Sequence, residues 1–438
     1  MASSSSTVAA PPAPPDARTS TRRALVGGTV GNFVEWFDWS AYGFFAVYFA
    51  GQFFPGDNPV LTALLVFAIS FFMRPVGAAV LGTYADRHGR KHGMTLTILL
   101  MAGGSLLIGV TPTYGAVGWV APVLLILGRL LQGFSTGGEF GTSASFLVEW
   151  ARPGRKAFAG SFQQVSVVLG ILLASLTATV LTRVLDGVQM ASWGWRIPFL
   201  IGAVIGLVGL YIRRQIDEPE AFRALIRDGE TQRSPLREMV RGHRMGAALV
   251  FGISIAGSVI TYMWLTYLPT YAHLTAGATL ADGQLANTIA LAVFALLLPA
   301  AALLSDRFGR RPTMLVYAVA FVVLPFPLMH LLGSSFASIL VVSLIGVVFL
   351  SLNHSNLATV FAELFPPQVR TIGIALPYAI SNAIFGGTAP SVMQFFGSRQ
   401  VLWAVPLYVS ICALVTAAVI WKMPETRDVD IVTTGYRA

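Results

Sequence analysis

Apolar runs of about 20 residues recur along almost the whole chain, and each is long enough to cross the hydrocarbon core of a bilayer as a helix. We count twelve of them, at 24–50, 60–84, 94–112, 119–148, 157–183, 195–214, 245–272, 284–305, 312–333, 337–362, 370–396 and 400–421. Only 11% of the residues are charged, whereas soluble proteins carry about 25%. The sequence therefore predicts an all-α membrane protein with twelve transmembrane helices.

The basic residues are distributed unevenly between the loops that join these runs. A net charge of +9 could indicate a nucleic-acid-binding protein. However, most of the 29 lysines and arginines fall in loops that share one side of the membrane if the chain begins inside. Such a bias marks the cytoplasmic side. We therefore expect a multi-pass membrane protein with both termini in the cytoplasm, surrounded by lipid, and no nucleic-acid partner.

Two short polar loops repeat along the chain. GTYADRHGRK (82–91) follows the second run and ALLSDRFGRR (302–311) follows the eighth, at the same place in each set of six runs. Parallel repeats of six spans are typical of one large class of transporters. The predicted segments are a disordered cytoplasmic tail at 1–23, six-helix bundles at 24–214 and 245–422, a cytoplasmic linker at 215–244 and a second cytoplasmic tail at 423–438.

The repeated loops also carry charges that could form a gate. An aspartate there can cap the N-terminus of a helix or pair with the arginine four residues later. Such a latch would hold the inner helix ends together and would break when the inner side opens. The predicted gating residues are Asp86, Arg87, Arg90, Asp306, Arg307 and Arg310, with Glu149 and Glu363 as further latch or cap residues. These charges could instead only follow the positive-inside bias, but two copies in register favour the gate.

The loop pattern G-x-x-x-D-R-x-G-R-K/R resembles the signature of the major facilitator superfamily, although Ala302 replaces the first glycine in the second copy. Further segments resemble the metabolite:proton symporter family: GNFVEWFD (31–38), GRLLQGFSTGGEFGTSASFLVE (128–149), WGWRIPF (193–199) and YAISNAIFGG (378–387). GGEFGTSASFLVE looks most like the 2-oxoglutarate branch, whereas LTYLPTY (265–271) looks as much like the proline/betaine branch; citrate and shikimate permeases also belong here. The resemblance implies the major facilitator fold, transport across a bacterial inner membrane, and no cofactor.

Two carboxylates three residues apart, Glu35 and Asp38, lie inside the first apolar run. They share one face of a helix, which could meet Arg74 near the middle of the second run. Ionisable residues inside a membrane span are costly and are functional candidates by default. The charged residues that we expect inside the membrane are two cations, Arg74 and Arg129, and three acids, Glu35, Asp38 and Glu139. A surplus buried carboxylate is readily protonated.

The predicted proton-coupling residues are therefore Glu35, Asp38, Arg129 and Glu139. The alternative is that these polar side chains only hold helices together, as polar groups do in many membrane bundles. Arginine suits carboxylates because its fork of donors binds both oxygens. The predicted substrate-binding residues are Arg74, Gln163, Tyr262, Tyr267, His354 and Asn382. A lone histidine in a polar run, such as His354, is more often a satisfied helix-contact residue than a proton site.

The sequence thus predicts a proton-coupled symporter that imports a small organic acid, 2-oxoglutarate or a related di- or tricarboxylate, by alternating access. Its expected partners are substrate and protons, and a monomer is expected. The alternative is uptake of a zwitterionic osmolyte such as proline or betaine. Drug/proton exchange is disfavoured because the fifth run lacks proline, and a scaffold would not need surplus acids. An enzyme or metal site is not expected, since catalytic motifs are missing and Cys412 is the only cysteine.

Overall fold

The first half of the protein is a bundle of six long helices. The computed structural model describes residues 17–56, 59–152, 154–215, 235–399 and 401–431. The helices of the first half are α1 (Ala17–Phe53), α2 (Pro59–His88), α3 (Arg90–Val110), α4 (Val120–Glu149), α5 (Lys156–Val184) and α6 (Ile197–Arg214). Short helical turns at Tyr114–Val117, Gly187–Ser192 and Gly194–Arg196 join them at one end.

The second half repeats this plan with more broken helices. Its six spans are α7 (Arg244–Tyr262, continued through a π-helical turn at Met263–Tyr267 into Leu268–Ala276), α8 (Leu280–Phe308), α9 (Arg310–Val323, bent into Pro325–Leu331), α10 (Phe336–His354 and Leu357–Glu363), α11 (Arg370–Ser381, a π-helical turn at Asn382–Gly386, and Ala389–Ser398) and α12 (Ala404–Lys422). The bend in α9 is 55° and comes directly before Pro325, whose ring cannot continue the hydrogen-bond ladder.

Most of these helices suit a membrane by length and composition. Within the described ranges, nine helices are long and apolar enough to cross one, and the bent pair in α9 makes a tenth if it is a single span. The remaining two paths are α1, which contains Glu35 and Asp38, and α11, which the π-helical turn divides. Together they account for the twelve apolar runs of the sequence.

Close helix approach in the first half depends on glycines of α4. A side chain at Gly133 would meet the backbone carbonyl of Ser70, and one at Gly137 would meet the carbonyl of Arg74. Small residues allow membrane helices to approach in this way. The glycines therefore draw α4 against the middle of α2, at the level of Arg74. The two halves meet where α2, α4 and α5 pack against α8, α10 and α11.

The ends of the chain differ from the sequence-based expectation. The segment 1–23 was expected to be a disordered tail, but α1 begins at Ala17; residues 1–16 lie outside the described ranges. The predicted tail at 423–438 is ordered over Met423–Ile431, where it lies against the inner ends of the helices, with Thr426 fully buried. In the linker, Pro235–Gly242 forms a short helix, and residues 216–234 are outside the described part.

Candidate functional site

A central cavity lies between the two halves, in two adjoining parts. The first part is lined by Asn32, Glu35, Trp36, Arg74, Thr136, Gly137, Phe140, Tyr378, Ala379 and Asn382. The second part is lined by polar side chains of both halves that include Gln164, Ser254, Ser258, Thr261, Tyr262, His354 and Asn382. Trp36, Tyr378 and Asn382 line both parts. The cavity therefore joins a charged wall from the first half to a neutral polar wall from the second.

Arg74 is the cation of this cavity. Its guanidinium carbon lies 4.3 Å from the ring centre of Trp39 and 4.4 Å from that of Phe71, so two aromatic faces hold it. The residue is only 4% exposed. Among the described residues, its Nε and Nη2 have no hydrogen-bond partner. Buried donors without partners are costly, and these two suit the oxygens of a bound carboxylate.

Glu35 and Asp38 share a helix face, but they do not share surroundings. Glu35 lines the cavity with Arg74, as the sequence suggested. Asp38 lies behind the cavity wall, fully buried, and accepts a hydrogen bond from Ser105 of α3. The expectation that both acids meet Arg74 is therefore wrong for Asp38. Glu35 and Asp38 lie about one helical turn apart on α1, and α1 faces the cavity at Glu35 and contacts α3 at Asp38.

Arg129 is linked to Asp38 through a chain of neutral side chains. Its guanidinium lies over the rings of Trp39 and Tyr42, at 4.5 and 4.2 Å from their centres. Its Nη1 donates to Gln132 Oε1 at 2.7 Å, and Gln132 Nε2 donates to Ser105 Oγ at 2.9 Å. Ser105 in turn donates to Asp38. The structure thus brings together Asp38 and Arg129, two predicted proton-coupling residues.

Glu139 has a different environment from the other two acids. Arg213 of α6 donates to both of its carboxylate oxygens, and Thr97 of α3 donates to one of them. Arg213 is fully buried. The charge count from the sequence is therefore corrected to three buried cations against three acids, and the argument from a surplus acid does not hold. Arg213 stands next to the polar linker in the sequence, so nothing in the pattern revealed that its long side chain turns inward.

In the second half, some of the predicted binding residues line the cavity and others do not. Tyr262, His354 and Asn382 do, and His354 Nε2 lies 2.8 Å from Thr261 Oγ1. Gln163 instead donates from Nε2 to the carbonyl of Phe140 at 3.0 Å. Its neighbour Gln164 is the cavity residue. Tyr267 lies in the π-helical turn, beside Tyr271 with ring centres 6.3 Å apart, and is not among the lining residues.

Sequence reasoning missed Tyr378 as a site residue. Its ring stacks on Phe140 with centres 3.9 Å apart, and both rings line the cavity between α11 and α4. Tyr378 is the first residue of YAISNAIFGG (378–387), which resembles the family, but the sequence does not show that its ring contacts Phe140 of the other half.

The two repeated loops lie at one end of the molecule, and each half contributes the same arrangement there. Asp86 accepts hydrogen bonds from the backbone N–H groups of Thr371 and Ile372 at 3.1 and 2.9 Å. Asp306 accepts from Ala157 and Phe158, both at 3.0 Å. Each aspartate therefore caps the first turn of a helix in the other half, α11 or α5, where the helix dipole favours a negative charge.

Ion pairs complete this latch across the halves. In one copy, Arg90 pairs with Asp86 at 2.7 Å, and Glu149 joins Arg90 at 3.4 Å to Arg370 at 2.6 Å. The other copy has the equivalent pairs: Arg310 with Asp306 at 2.8 Å and with Glu363 at 3.3 Å, and Lys156 with Glu363 at 2.8 Å. Arg87 and Arg307 are exposed and lie outside this buried set. The latch joins the two halves at this end of the molecule.

No metal centre is evident in the part of the chain that the structure describes. A search of those residues finds no group of three or more histidine, cysteine, aspartate or glutamate side chains that could hold a metal ion. The single cysteine, Cys412, is buried in α12. The chemistry of the site is therefore considered below in terms of carboxylates, arginines and neutral polar groups.

Comparison with known proteins gives matches over almost the whole chain. A family model described as sugar (and other) transporter matches residues 25–237 and 220–434. The alpha-ketoglutarate permease of Escherichia coli (strain K12) is 41% identical over 408 residues, which are 90% of this chain and 92% of the relative. The citrate-proton symporter of Salmonella typhi is 34% identical, with 86% and 88% covered. The proline/betaine transporter of Escherichia coli (strain K12) is 30% identical, with 93% and 84% covered.

A solved structure agrees with the architecture. The proton:xylose symporter XylE bound to 6-bromo-6-deoxy-D-glucose superimposes with a TM-score of 0.77 at 17% identity, over 93% of this chain and 97% of that one. The predicted fold, twelve helices in two six-helix repeats, is confirmed, and so is the predicted resemblance. The relatives are named as transporters rather than enzymes. The chain is a multi-pass membrane protein that belongs to the sugar (and other) transporter family of the major facilitator superfamily.

Proposed function

We propose that the protein is a proton-coupled symporter that imports 2-oxoglutarate or a related di- or tricarboxylate. The observation that carries this proposal is Arg74, a buried cation in the central cavity with two donors that lack partners in the described structure. Relatives named as permeases or proton symporters of organic acids support the substrate class. Arginine binds a carboxylate through two parallel hydrogen bonds, which gives both affinity and orientation.

The binding step uses both walls of the cavity. Arg74 receives one carboxylate between the rings of Trp39 and Phe71. The rest of the substrate extends toward the neutral wall, where Tyr262 Oη and His354 Nδ1 also lack partners among the described residues and can donate to it. Hydrogen bonds to these groups fix the distal end. In this scheme Gln164 replaces the predicted Gln163, and Tyr267 supports the helix rather than the substrate.

The proton step uses Glu35 and Asp38. Glu35 Oε2 and Asp38 Oδ1 have no hydrogen-bond partner in the described structure, so each carboxylate is incompletely satisfied as an anion. Incomplete satisfaction makes a buried anion costly, and binding a proton removes that cost. Glu139 is excluded from this role, because Arg213 and Thr97 already satisfy it. We propose that Glu35 and Asp38 carry the transported protons, each in its own surroundings.

The transport step is alternating access, with the latch as the inner gate. In the arrangement described here the two helix caps and the ion pairs hold the inner ends of the halves together. Release of substrate inward requires these bonds to break. Arg87 and Arg307, which were predicted to belong to the gate, are solvated charges at its edge.

The membrane potential sets the minimum number of protons. Moving one elementary charge across 100 mV is worth about 2.3 kcal/mol. A dianion that enters an inside-negative cell with one proton still carries net negative charge, and the potential opposes it. Two protons make the step electroneutral, which matches the number of incompletely satisfied acids. We further propose that the protein is a monomer in a bacterial inner membrane. The distribution of its basic residues supports a cytoplasmic position for both termini.

Uptake into proteoliposomes tests this function. Purified protein is reconstituted, an acid-outside pH gradient is imposed, and entry of labelled 2-oxoglutarate, citrate and betaine is compared. We expect uptake of 2-oxoglutarate that collapses with a protonophore and is lost in Arg74→Ala. Gradient-independent entry, or entry that survives loss of Arg74, would contradict the proposal.

Uptake of a zwitterion such as betaine or proline is the second candidate. Aromatic side chains that line the cavity, Trp36 and Tyr378, could hold a cationic headgroup. The proline/betaine relative, at 30% identity, supports this alternative. Arg74 weighs against it, because a quaternary ammonium placed in the same hollow would face a buried like charge. Betaine uptake in the same liposomes, with none of the acids, would favour it.

A further inference from the structure

Ser105 of α3 lies at the centre of the hydrogen bonds around Asp38. Its hydroxyl contacts three groups: it donates to Asp38 Oδ2, it lies 3.1 Å from the carbonyl of Met101, and it accepts from Gln132 Nε2 at 2.9 Å. Ser105, Asp38 and Gln132 are all fully buried. A serine hydroxyl has one proton to donate and two lone pairs that accept. When Asp38 is protonated, the three contacts use this whole capacity; when Asp38 is ionised, the hydroxyl has two acceptors for its one proton and accepts only from Gln132.

These contacts satisfy the serine whether or not Asp38 carries a proton. When Asp38 is ionised, Ser105 donates to its carboxylate and accepts from Gln132. When Asp38 Oδ2 is protonated, the acid donates to Ser105 Oγ, and the hydroxyl turns to donate to the carbonyl of Met101. Gln132 donates to Ser105 in both states. The serine keeps its own proton throughout, and the only proton gained or lost is that on Asp38.

We infer that Ser105 is the positioning residue of the proton site, a hydroxyl whose hydrogen bond to Asp38 reverses direction when Asp38 binds a proton. This inference rests on the proposed function, in which Asp38 carries a proton. The reversal lets the buried network change protonation state without leaving the hydroxyl unsatisfied, and an unsatisfied buried polar group is costly. Gln132 connects the same hydroxyl to Arg129, so protonation of Asp38 can affect Arg129 through this chain of hydrogen bonds.

The charged groups around Asp38 leave this role to Ser105. Of the charged side chains on helices packed against α1, Arg129 of α4 is joined to Asp38 through Gln132 and Ser105. Arg74 lines the cavity with Glu35 instead, and Arg213 is paired with Glu139. On the α6 side, Asp38 Oδ1 abuts Gly202, where any side chain would clash with the carboxylate. Ser105 is thus the group that donates directly to Asp38 among the described residues.

Infrared titration of the reconstituted protein tests the inference without a transport substrate. The signal is the carboxylic acid C=O band that Asp38→Asn removes, followed across the accessible pH range. In Ser105→Ala the ionised carboxylate loses its donor, so we expect the titration midpoint of this band to move to higher pH by about one to two units. Ser105→Thr keeps a hydroxyl and is expected to restore the wild-type midpoint.

Ser70→Ala is the matched control. Ser70 is a fully buried serine whose hydroxyl, among the described residues, bonds only to the carbonyl of Val66 on its own helix, at 3.4 Å. We expect no change of midpoint in this variant. A midpoint in Ser105→Ala equal to that of the wild type would overturn the inference. So would a shift in Ser105→Thr as large as that in Ser105→Ala, or the absence of any band that depends on Asp38.

Uptake assays separate this inference from the proposed function. If the wild-type protein transports none of the organic acids tested, the substrate assignment fails, while the infrared midpoints still decide the role of Ser105. If the acids are transported but the midpoint does not respond to Ser105→Ala, the substrate assignment stands and the positioning role fails.

Discussion

The two halves of this transporter have the same charged latch at one end and different centres. At that end, Asp86 and Asp306 each cap a helix of the other half, and Glu149 and Glu363 each bridge two basic residues. At the level of the cavity, the first half contains buried arginines and carboxylates. The spans of the second half have no Asp, Glu, Lys or Arg between their latch and their outer ends.

This difference separates two tasks that a symporter must perform. The gate has to open and close symmetrically, and a repeated set of caps and ion pairs suits that task. The centre has to bind an anion and a proton together, and charges gathered on one wall keep those two events close. The neutral wall can then move past the charged wall without dragging an unpaired charge through a region of low dielectric. Variants in one half or the other test this division.

The largest effect is expected from the charged wall. Arg74→Gln keeps a polar side chain but removes the buried cation, and loss of one partner from a buried charged hydrogen bond costs about 2–5 kcal/mol. Uptake of 2-oxoglutarate should therefore fall by about 30-fold or more. Initial rates in proteoliposomes measure this.

Arg399→Gln is the control for that variant. Arg399 also lies over an aromatic ring, 3.8 Å from the centre of Phe395, but it is exposed at the outer end. Its uptake should match the wild type within about twofold, because exposed pairs contribute little. Equal losses in the two variants would mean that Arg74 has no special role in the cavity.

The gate should respond to substitution in both halves. Asp86→Asn and Asp306→Asn each weaken a charged cap worth about 1.5–3 kcal/mol, so the inner side should open about tenfold or more in population. Asp86 is more deeply buried than Asp306, and its variant should show the larger change. The measurement is cytoplasmic labelling of a cysteine at Ala375, a buried position against Gly141, in a Cys412→Ala background.

Asp428→Asn provides the matched control for the gate. This aspartate is exposed and, within the part of the chain that the structure describes, pairs only with its neighbour Arg427, at 3.4 Å. Its labelling rate should equal that of the parent. An effect confined to Asp86→Asn, with Asp306→Asn unchanged, would show that the two copies of the gate are not equivalent.

The sequence predicted the helices and repeated loops of this molecule better than it predicted which residues they contact. Twelve apolar runs and two copies of one loop were sufficient for the fold, because the bilayer allows few alternatives to bundled helices. The same loops predicted Asp86, Arg90, Asp306 and Arg310 as gate residues. The helices that the aspartates cap belong to the opposite half, and that relation depends on how the bundles dock.

Side-chain direction was the part that the sequence did not contain. Glu35 and Asp38 are three positions apart, so they were expected to share one partner, yet they face a cavity and α3 respectively. Arg213 has the sequence context of a cytoplasmic arginine, and only the packed structure turns it toward Glu139. Gln163 and Gln164 are indistinguishable by type, and helix rotation decides which one reaches the cavity.

On the neutral wall, a smaller effect is expected. His354→Gln keeps a polar group opposite Thr261 but loses the ring, which contributes about one neutral hydrogen bond, near 1 kcal/mol. The KM for 2-oxoglutarate should rise about fivefold, and the pH dependence of uptake should keep its shape. His330→Gln, an exposed histidine near the outer end, is the control. If His354→Gln abolished the pH dependence, the proton site would extend into the second half, and the division between the halves would fail.

The smallest effect on transport is expected at Glu139, whose charge is already paired with that of Arg213. Glu139→Gln or Arg213→Met alone leaves one buried charge without its partner, at a cost of about 3–5 kcal/mol, so the thermal midpoint should fall in each single variant. The double variant removes both charges and should recover most of that stability, because paired burial and apolar burial are nearly equivalent. Its proton-driven uptake should stay within about threefold of the wild type, since Glu139 has no free oxygen with which to exchange protons. Loss of pH dependence in a stable double variant would return Glu139 to the proton pathway and would make all three acids of the first half part of one coupled site.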